Sequence, residues 1–168
     1  MASWRFELDV KFVALVERLH PAFLKLLSRS PVTGGAKPDY GLGHLAATRG
    51  VYLFTENGRH LYIGRSNRLF ERYKNHWGPL KTERQAAFAF RLAREATGFL
   101  KPTYKQGDGS RKHLALDVTF KEAFTIAKER IRAMEYRWVE ETDPTCQCLL
   151  EIYSAVTLET PYNDFDNH

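Results

Sequence analysis

A chain of 168 residues, 43% hydrophobic and 13% aromatic, can bury a core as one domain, which excludes a disordered polypeptide. Its formal charge of +5 favours polyanionic partners such as nucleic acid, although many basic proteins bind none. No apolar run reaches membrane-spanning length and the start MASWRFELDV lacks a signal peptide's apolar core, so a cytoplasmic protein without membrane association is expected.

Leu8, Phe12, Leu15 and Leu19 recur at helical spacing and predict an amphipathic helix. Pro21 is expected to interrupt it, with AFLKLL adding a short second helix or a kinked extension. The Gly-, Pro- and Ser-rich stretch SRSPVTGGAKPDYGLG reads as a loop. Residues 50–55 and 60–64 are β-branched and aromatic with ENG between them, and Asn-Gly supplies the positive φ angles of a tight hairpin turn. Ser66 is positioned to cap a helix running to about His76, closed by Gly78-Pro79.

TERQAAFAFRLAREAT predicts a helix ended by Gly98, and KPTYKQGDGSRKH a polar, basic loop. Thr119 and Glu122 form a capping-box pair ahead of a stripe of Phe120, Phe124, Ala127 and Ile131. Met134, Tyr136 and Trp138 alternate with Glu135 and Arg137 at strand period. Asp143-Pro144 begins a last helix that runs to about Leu158. Cys146 and Cys148 make neither a disulfide framework nor a four-ligand zinc site, and reduced thiols are expected.

The expected class is α+β: a small, mainly antiparallel three-stranded sheet (the hairpin plus a C-terminal strand) packed by helices. Residues 1–49 would form an N-terminal helical extension and linker. Residues 50–168 would form the main domain, with a helical insertion over about 80–133.

The tripeptides GVY at 50–52 and YIG at 62–64 resemble the two signatures of the GIY-YIG nucleases. Arg72 stands eight residues beyond Gly64, like that family's helix arginine, and Arg65 occupies a position where members commonly carry Lys or Arg. His76, four residues after Arg72, is similar to the restriction-enzyme branch. LLEIYSAVTLETPYN resembles the C-terminal signature, with Glu151 matching its glutamate and Asn163 its asparagine. The resemblance covers residues 50–76 and 134–164.

It implies a metal-dependent endonuclease acting on DNA, duplex or branched, with Mg²⁺ (or Mn²⁺) held by Glu151. Tyr52, Tyr62, Arg72, His76, Glu151 and Asn163 would form the catalytic set. Chemistry agrees with those residue types. Arginine grips phosphate with a planar fork, histidine exchanges protons near neutral pH, and Mg²⁺ often takes only one or two carboxylates. A tyrosine hydroxyl, ordinarily near pKa 10, would need adjacent positive charge to act as a base. Arg65, Arg72 and the metal would supply it. Tyr52 is the favoured base, Tyr62 orienting the phosphate or sharing the role, and Asn163 orienting the local site.

Each residue also has an ordinary reading: sheet tyrosines, surface cations and a surface histidine, a helix carboxylate, a turn asparagine. Only the functional reading accounts for all six together. Glu135, a rival metal ligand, ranks below Glu151 because its spacing to the tail is wrong. Arg65, Arg68 and Lys74 around the signature helix, and Lys105, Arg111 and Lys112 with Lys101 and Tyr104 in the insertion, are candidate nucleic-acid contacts. A catalytically inactive binding module on the same scaffold and a structure-selective RNA nuclease are the alternatives. Double-strand cleavage from one site would need a homodimer or sequential nicks.

Overall fold

The computed structural model describes residues 9–36, 48–99, 110–163 and 165. Among them are helices α1 (Val10–Ser28), α2 (Leu69–Trp77), α3 (Ala87–Thr97), α4 (Arg111–Leu114), α5 (Val118–Ala133) and α6 (Pro144–Thr157). Strands β1 (Gly50–Glu56), β2 (Arg59–Ser66) and β3 (Glu135–Glu140) form an antiparallel sheet in the order β2-β1-β3. This is the expected α+β class.

The hairpin follows from its turn. Asn57 and Gly58 take φ of 51° and 76°, the positive values a two-residue turn needs. β1 is central, and helices cover both faces of the sheet, so GVYLF is apolar at successive positions. Val51 and Leu53 join Ile63 and Val139 beneath α1 and α6, with Leu19, Phe23, Leu26 and Leu150. Tyr52 and Phe54 join Tyr136 and Trp138 beneath α2, α3 and α5, with Tyr73, Phe88 and Ile131. A smaller cluster of Phe90, Ala93, Leu114 and Phe120 ties α3, α4 and α5 together.

Several local expectations are corrected. α1 runs unbroken through Pro21, which lies on its exposed side while Leu19, Phe23 and Leu26 bury the other. That packing outweighs an interior proline's cost of about 3 kcal/mol. The buried stripe is thus later than expected; Phe12 is 50% exposed, and Leu8 lies outside the described residues. Asp9 caps this helix through Lys11 N and Phe12 N.

Ser66 is not the cap of α2. That position is Arg68, and the Ser66 hydroxyl accepts from Arg68 N instead. Asp117, not Thr119, caps α5 by accepting from Phe120 N, because the helix starts at Val118. α3 begins at Ala87, later than its sequence pattern suggests, and ends as expected at Gly98 in the left-handed conformation. Part of the expected loop is helical: Ser110 caps α4 by accepting from His113 N. Asp143 caps α6, with Pro144 at its start. Cys146 and Cys148 are free thiols. Among the described residues, no helix is long and apolar enough to cross a membrane.

Both outer strands have their edges covered. Val32 exchanges two backbone hydrogen bonds with Tyr136 on β3, at 3.0 and 2.8 Å. On β2, Tyr162 N donates to Leu61 O at 3.2 Å. The C-terminal segment is thereby laid along the strand that carries Tyr62.

Candidate active site

Register places the two signature tripeptides against each other. Tyr52 pairs with Gly64 on β2 and with Trp138 on β3. The ring and hydroxyl of Tyr52 lie over Gly64 so closely that any Cβ there would collide with them. At Gly50 a Cβ would run into the Val139 carbonyl. Close approach, not turn conformation, is why these two positions are glycine.

α2 crosses this face of the sheet and delivers Arg72 and His76 from successive turns. The Tyr52 hydroxyl sits between them, 2.8 Å from His76 Nε2 and 3.1 Å from Arg72 Nε. Arginine can only donate, so the Tyr52 oxygen accepts from Arg72 and its own proton points at His76 Nε2. That hydrogen bonding assigns His76 the neutral form protonated on Nδ1. Burial, then the charge of Arg72, hold His76 well below the ordinary histidine value, in agreement with this form. Among the described residues His76 Nδ1 is buried without a hydrogen-bond partner, and the His76 ring packs among those of Phe54, Tyr62 and Phe88.

Arg72, one of the cations expected to lower the Tyr52 pKa, does not by itself bring it down. Tyr52 is 1% exposed, and burial followed by Tyr62 pushes its hydroxyl well above 10, while Arg72 pulls the other way. Desolvation outweighs the one adjacent guanidinium. Arg65, the second cation expected to help, is engaged elsewhere. Its Nε donates to Glu151 Oε2 at 2.9 Å.

Glu151 stands on the second turn of α6, with its side chain 21% exposed. Burial raises its pKa, opposed by Arg65 and then Arg72. Its charge is felt at Tyr52 as well, so Tyr52, Arg72 and Glu151 share one electrostatic neighbourhood. Among the described residues no group of three or more His, Cys, Asp or Glu gathers to hold a metal. A Mg²⁺ site that keeps most of its waters does not require one. Glu151 fits that type: one carboxylate oxygen takes Arg65, and the other makes no hydrogen bond among the described residues.

Asn163 is not bonded to the Tyr52 hydroxyl. Its Oδ1 accepts from Ile63 N and its Nδ2 donates to Ile63 O, both at 2.8 Å, and Thr160 adds a bond to Oδ1 at 2.9 Å. Both amide atoms are spent clipping the tail onto β2 between Tyr62 and Gly64. The asparagine positions the strand and does not point into the site.

Tyr62 stacks on Phe88 with ring centroids 4.7 Å apart and lies 6.2 Å from the Tyr52 ring. Phe88 belongs to α3, inside the insertion that matched no known pattern. Gln85, in the turn ahead of α3, belongs to the insertion too, and its carbonyl accepts from Arg72 Nη1 at 2.9 Å. Arg91 of α3 donates to the Tyr162 carbonyl, and the Tyr162 hydroxyl donates to Glu95. Sequence reasoning missed all of these. Phe88 reads as one more core residue of a helix, and a backbone carbonyl leaves no mark in a sequence.

The basic candidates are scattered. Arg68 pairs with Glu71 at 3.3 Å, and an open cleft of about 260 Å³ lined by Ser66, Asn67, Arg68, Glu71, Arg72 and Asn75 adjoins the site. Lys74 lies exposed over the Phe70 ring. Arg111 is held by the Glu83 carbonyl and the Phe90 ring, whereas Lys112 is exposed. Lys101, Tyr104 and Lys105 lie outside the described residues. Glu135, the rival ligand, is bonded to Arg137 at 2.6 Å. A larger groove of about 1020 Å³ runs between α1 and the residues from Val139 to Thr142, away from the tyrosines.

No family model matches the chain, and neither does any curated protein or solved structure.

Proposed function

We propose that the chain is a metal-dependent endonuclease that hydrolyses phosphodiester bonds in DNA with a GIY-YIG arrangement. The observation that carries this reading is the bridged hydroxyl: Tyr52 held between Arg72 and His76, with Glu151 in the same electrostatic neighbourhood. Any buried tyrosine hydroxyl needs a hydrogen-bond partner; a cation on one side and a proton acceptor on the other is the pairing a proton transfer would use.

The paired hydrogen bonds suit a proton relay. As water attacks phosphorus in line, Tyr52 takes its proton and passes its own to His76 Nε2, so no free phenolate has to form in a buried site. A positioned base of this kind is worth on the order of 10²- to 10⁴-fold in rate. Arg72, steadied by the Gln85 carbonyl, presents positive charge to the phosphate, and that phosphate offsets the charge His76 acquires. Tyr62, flat against Phe88, helps to orient the phosphate. Mg²⁺ or Mn²⁺ at Glu151 would neutralise charge on the phosphoryl oxygens and help the leaving oxygen depart. Arg65, Arg68, Lys74 and Lys112, all exposed, would contact the backbone of a bound strand. DNA as substrate, a homodimer for double-strand breaks and a cytoplasmic, nucleoid-associated location belong to this proposal.

The test is divalent-metal cleavage of plasmid, linear, flap and four-way-junction DNA, with RNA as competitor and product ends mapped. Nicking in Mg²⁺ or Mn²⁺ that disappears in Glu151→Ala supports the reading. Undiminished cleavage by that variant sinks it. The burial of Tyr52 is the observation that favours the rival, a binding module without activity. Retarded DNA with no cleavage under every metal and substrate would establish that module instead.

A further inference from the structure

Arg65 directly follows Gly64 on β2, and its guanidinium reaches across to α6. Nε lies 2.9 Å from Glu151 Oε2, with the two side chains 46% and 21% exposed. A guanidinium on a carboxylate fills the same electrostatic role that a divalent cation would. The carboxylate best suited to a metal therefore already has a cation belonging to the chain.

We infer that Arg65 is an internal counter-cation that competes with the divalent ion for Glu151 and is drawn away by substrate phosphate, so that metal and nucleic acid bind cooperatively. The inference rests on the nuclease reading above and goes beyond it in giving Arg65 a role toward the metal rather than toward DNA alone.

Three features support it. The Arg65 side chain makes no other hydrogen bond among the described residues, and its exposure lets it swing without disturbing the core. Arg72 is the opposite case: bonded to Tyr52 and to the Gln85 carbonyl, it is the fixed cation of the site. Last, Arg72 also acts on Glu151, so a divalent ion would join two arginines around one carboxylate. That excess of positive charge is relieved only when an anion enters. A phosphate supplies it, and a freed Arg65 can grip that phosphate through its planar fork. By linkage, whatever the phosphate does for metal affinity the metal does equally for phosphate affinity.

The experiment is a Mn²⁺ titration of the full chain, followed by the electron paramagnetic resonance signal of free Mn²⁺. Without DNA, Arg65→Gln should bind Mn²⁺ about fivefold or more tightly than the unaltered chain, the low end of ordinary coupling, and Arg65→Lys should lie between. Arg59→Gln, at the exposed far end of β2, removes an equal charge that does not touch Glu151, and its Mn²⁺ affinity should stay unchanged. Short duplex DNA, added in a Tyr52→Phe background to prevent cleavage, should tighten Mn²⁺ binding when Arg65 is present and far less in Arg65→Gln.

Unchanged or weaker Mn²⁺ binding by Arg65→Gln overturns the inference. So does an equal gain in Arg59→Gln, or equal tightening by DNA with and without Arg65. Those results leave the nuclease reading standing, whereas no Mn²⁺ binding by any protein, with or without DNA, removes the metal site and both proposals.

Discussion

The hydroxyl of Tyr52 lies 2.8 Å from Nε2 of His76, inside the protein, with neither residue more than 1% exposed. The bond joins the central strand to α2 across a layer of aromatic rings. Removing the hydroxyl alone, in Tyr52→Phe, keeps the ring that fills the core beneath α2. Cleavage should fall by about 10²-fold or more. The melting temperature should fall as well, because His76 Nε2 is left buried without its partner, at a cost of about 1–3 kcal/mol. Cleavage rate and thermal unfolding on one preparation check both. Full activity in Tyr52→Phe would remove the hydroxyl from the mechanism.

His76 makes stability depend on pH. Its folded-state pKa is held well below the ordinary histidine value by burial and then by Arg72. The unfolded chain therefore takes up a proton that the folded site refuses. Stability from this residue is complete above the unfolded value, about 6.5, and falls as pH drops through it toward the lower folded value. His60, lowered by burial and Arg137, acts in the same direction, so the comparison must be between variants. Denaturant midpoints from pH 8 to pH 5 should fall less steeply in His76→Phe than in the unaltered chain, and parallel curves would contradict the assignment.

Glu151 should carry a stability cost. Burial raises its folded pKa, so the ionised carboxylate is less welcome in the fold than in the unfolded chain. Its destabilisation is absent well below the ordinary carboxylate range and grows as pH rises through that range to the raised value. Glu151→Gln removes the charge and keeps the shape. The lost pairing with Arg65, a half-exposed residue, is worth about 0–1 kcal/mol. At pH 7 this variant should melt at the same temperature or higher while losing cleavage. A large drop in melting temperature would make Glu151 a structural residue.

Gly64 and Asn163 separate packing from clipping. Gly64→Ala forces a methyl group into the Tyr52 ring and hydroxyl, and such overpacking costs typically 1–3 kcal/mol. Asn163→Ala leaves the Ile63 N–H and C=O without their side-chain partner, at a cost of about 1–3 kcal/mol where the edge stays dry. Unfolding should show both losses. Amide exchange at Ile63 should rise sharply in Asn163→Ala, and unchanged protection there would mean the tail does not depend on this clip.

Much of the frame was legible because it rests on local rules. Asn57-Gly58 dictates a hairpin, Asp143-Pro144 a helix start, and Met134, Tyr136 and Trp138 a strand. Helix starts were legible only where one capping group stood alone. Thr119 lost to Asp117, and Ser66 does not cap because α2 begins after Arg68, which makes no side-chain capping bond; where a helix starts is set by packing as well as by capping residues. Pro21 was misjudged for a similar reason: its cost is local, while the burial of Leu19, Phe23 and Leu26 that overrides it depends on α6 and the sheet.

For the site, the sequence by itself determined which residue types are present and that Arg72 and His76 share one helical face. It also determined that two glycines flank two tyrosines on paired strands. Only the tertiary structure decided which tyrosine is bridged, because that depends on α2 crossing the sheet over Tyr52. It decided that Tyr52 is buried deeply enough for desolvation to outweigh Arg72, and that Arg65 goes to Glu151. It showed how Asn163 is used, as a clip on Ile63 that fixes the strand carrying Tyr62 and Gly64, and brought Phe88 and the Gln85 carbonyl to the site from an insertion with no motif. The physical reason is common to all of these. Spacing along one strand or helix sets direction, whereas burial and partner choice are set by what other elements bring within about 3 Å.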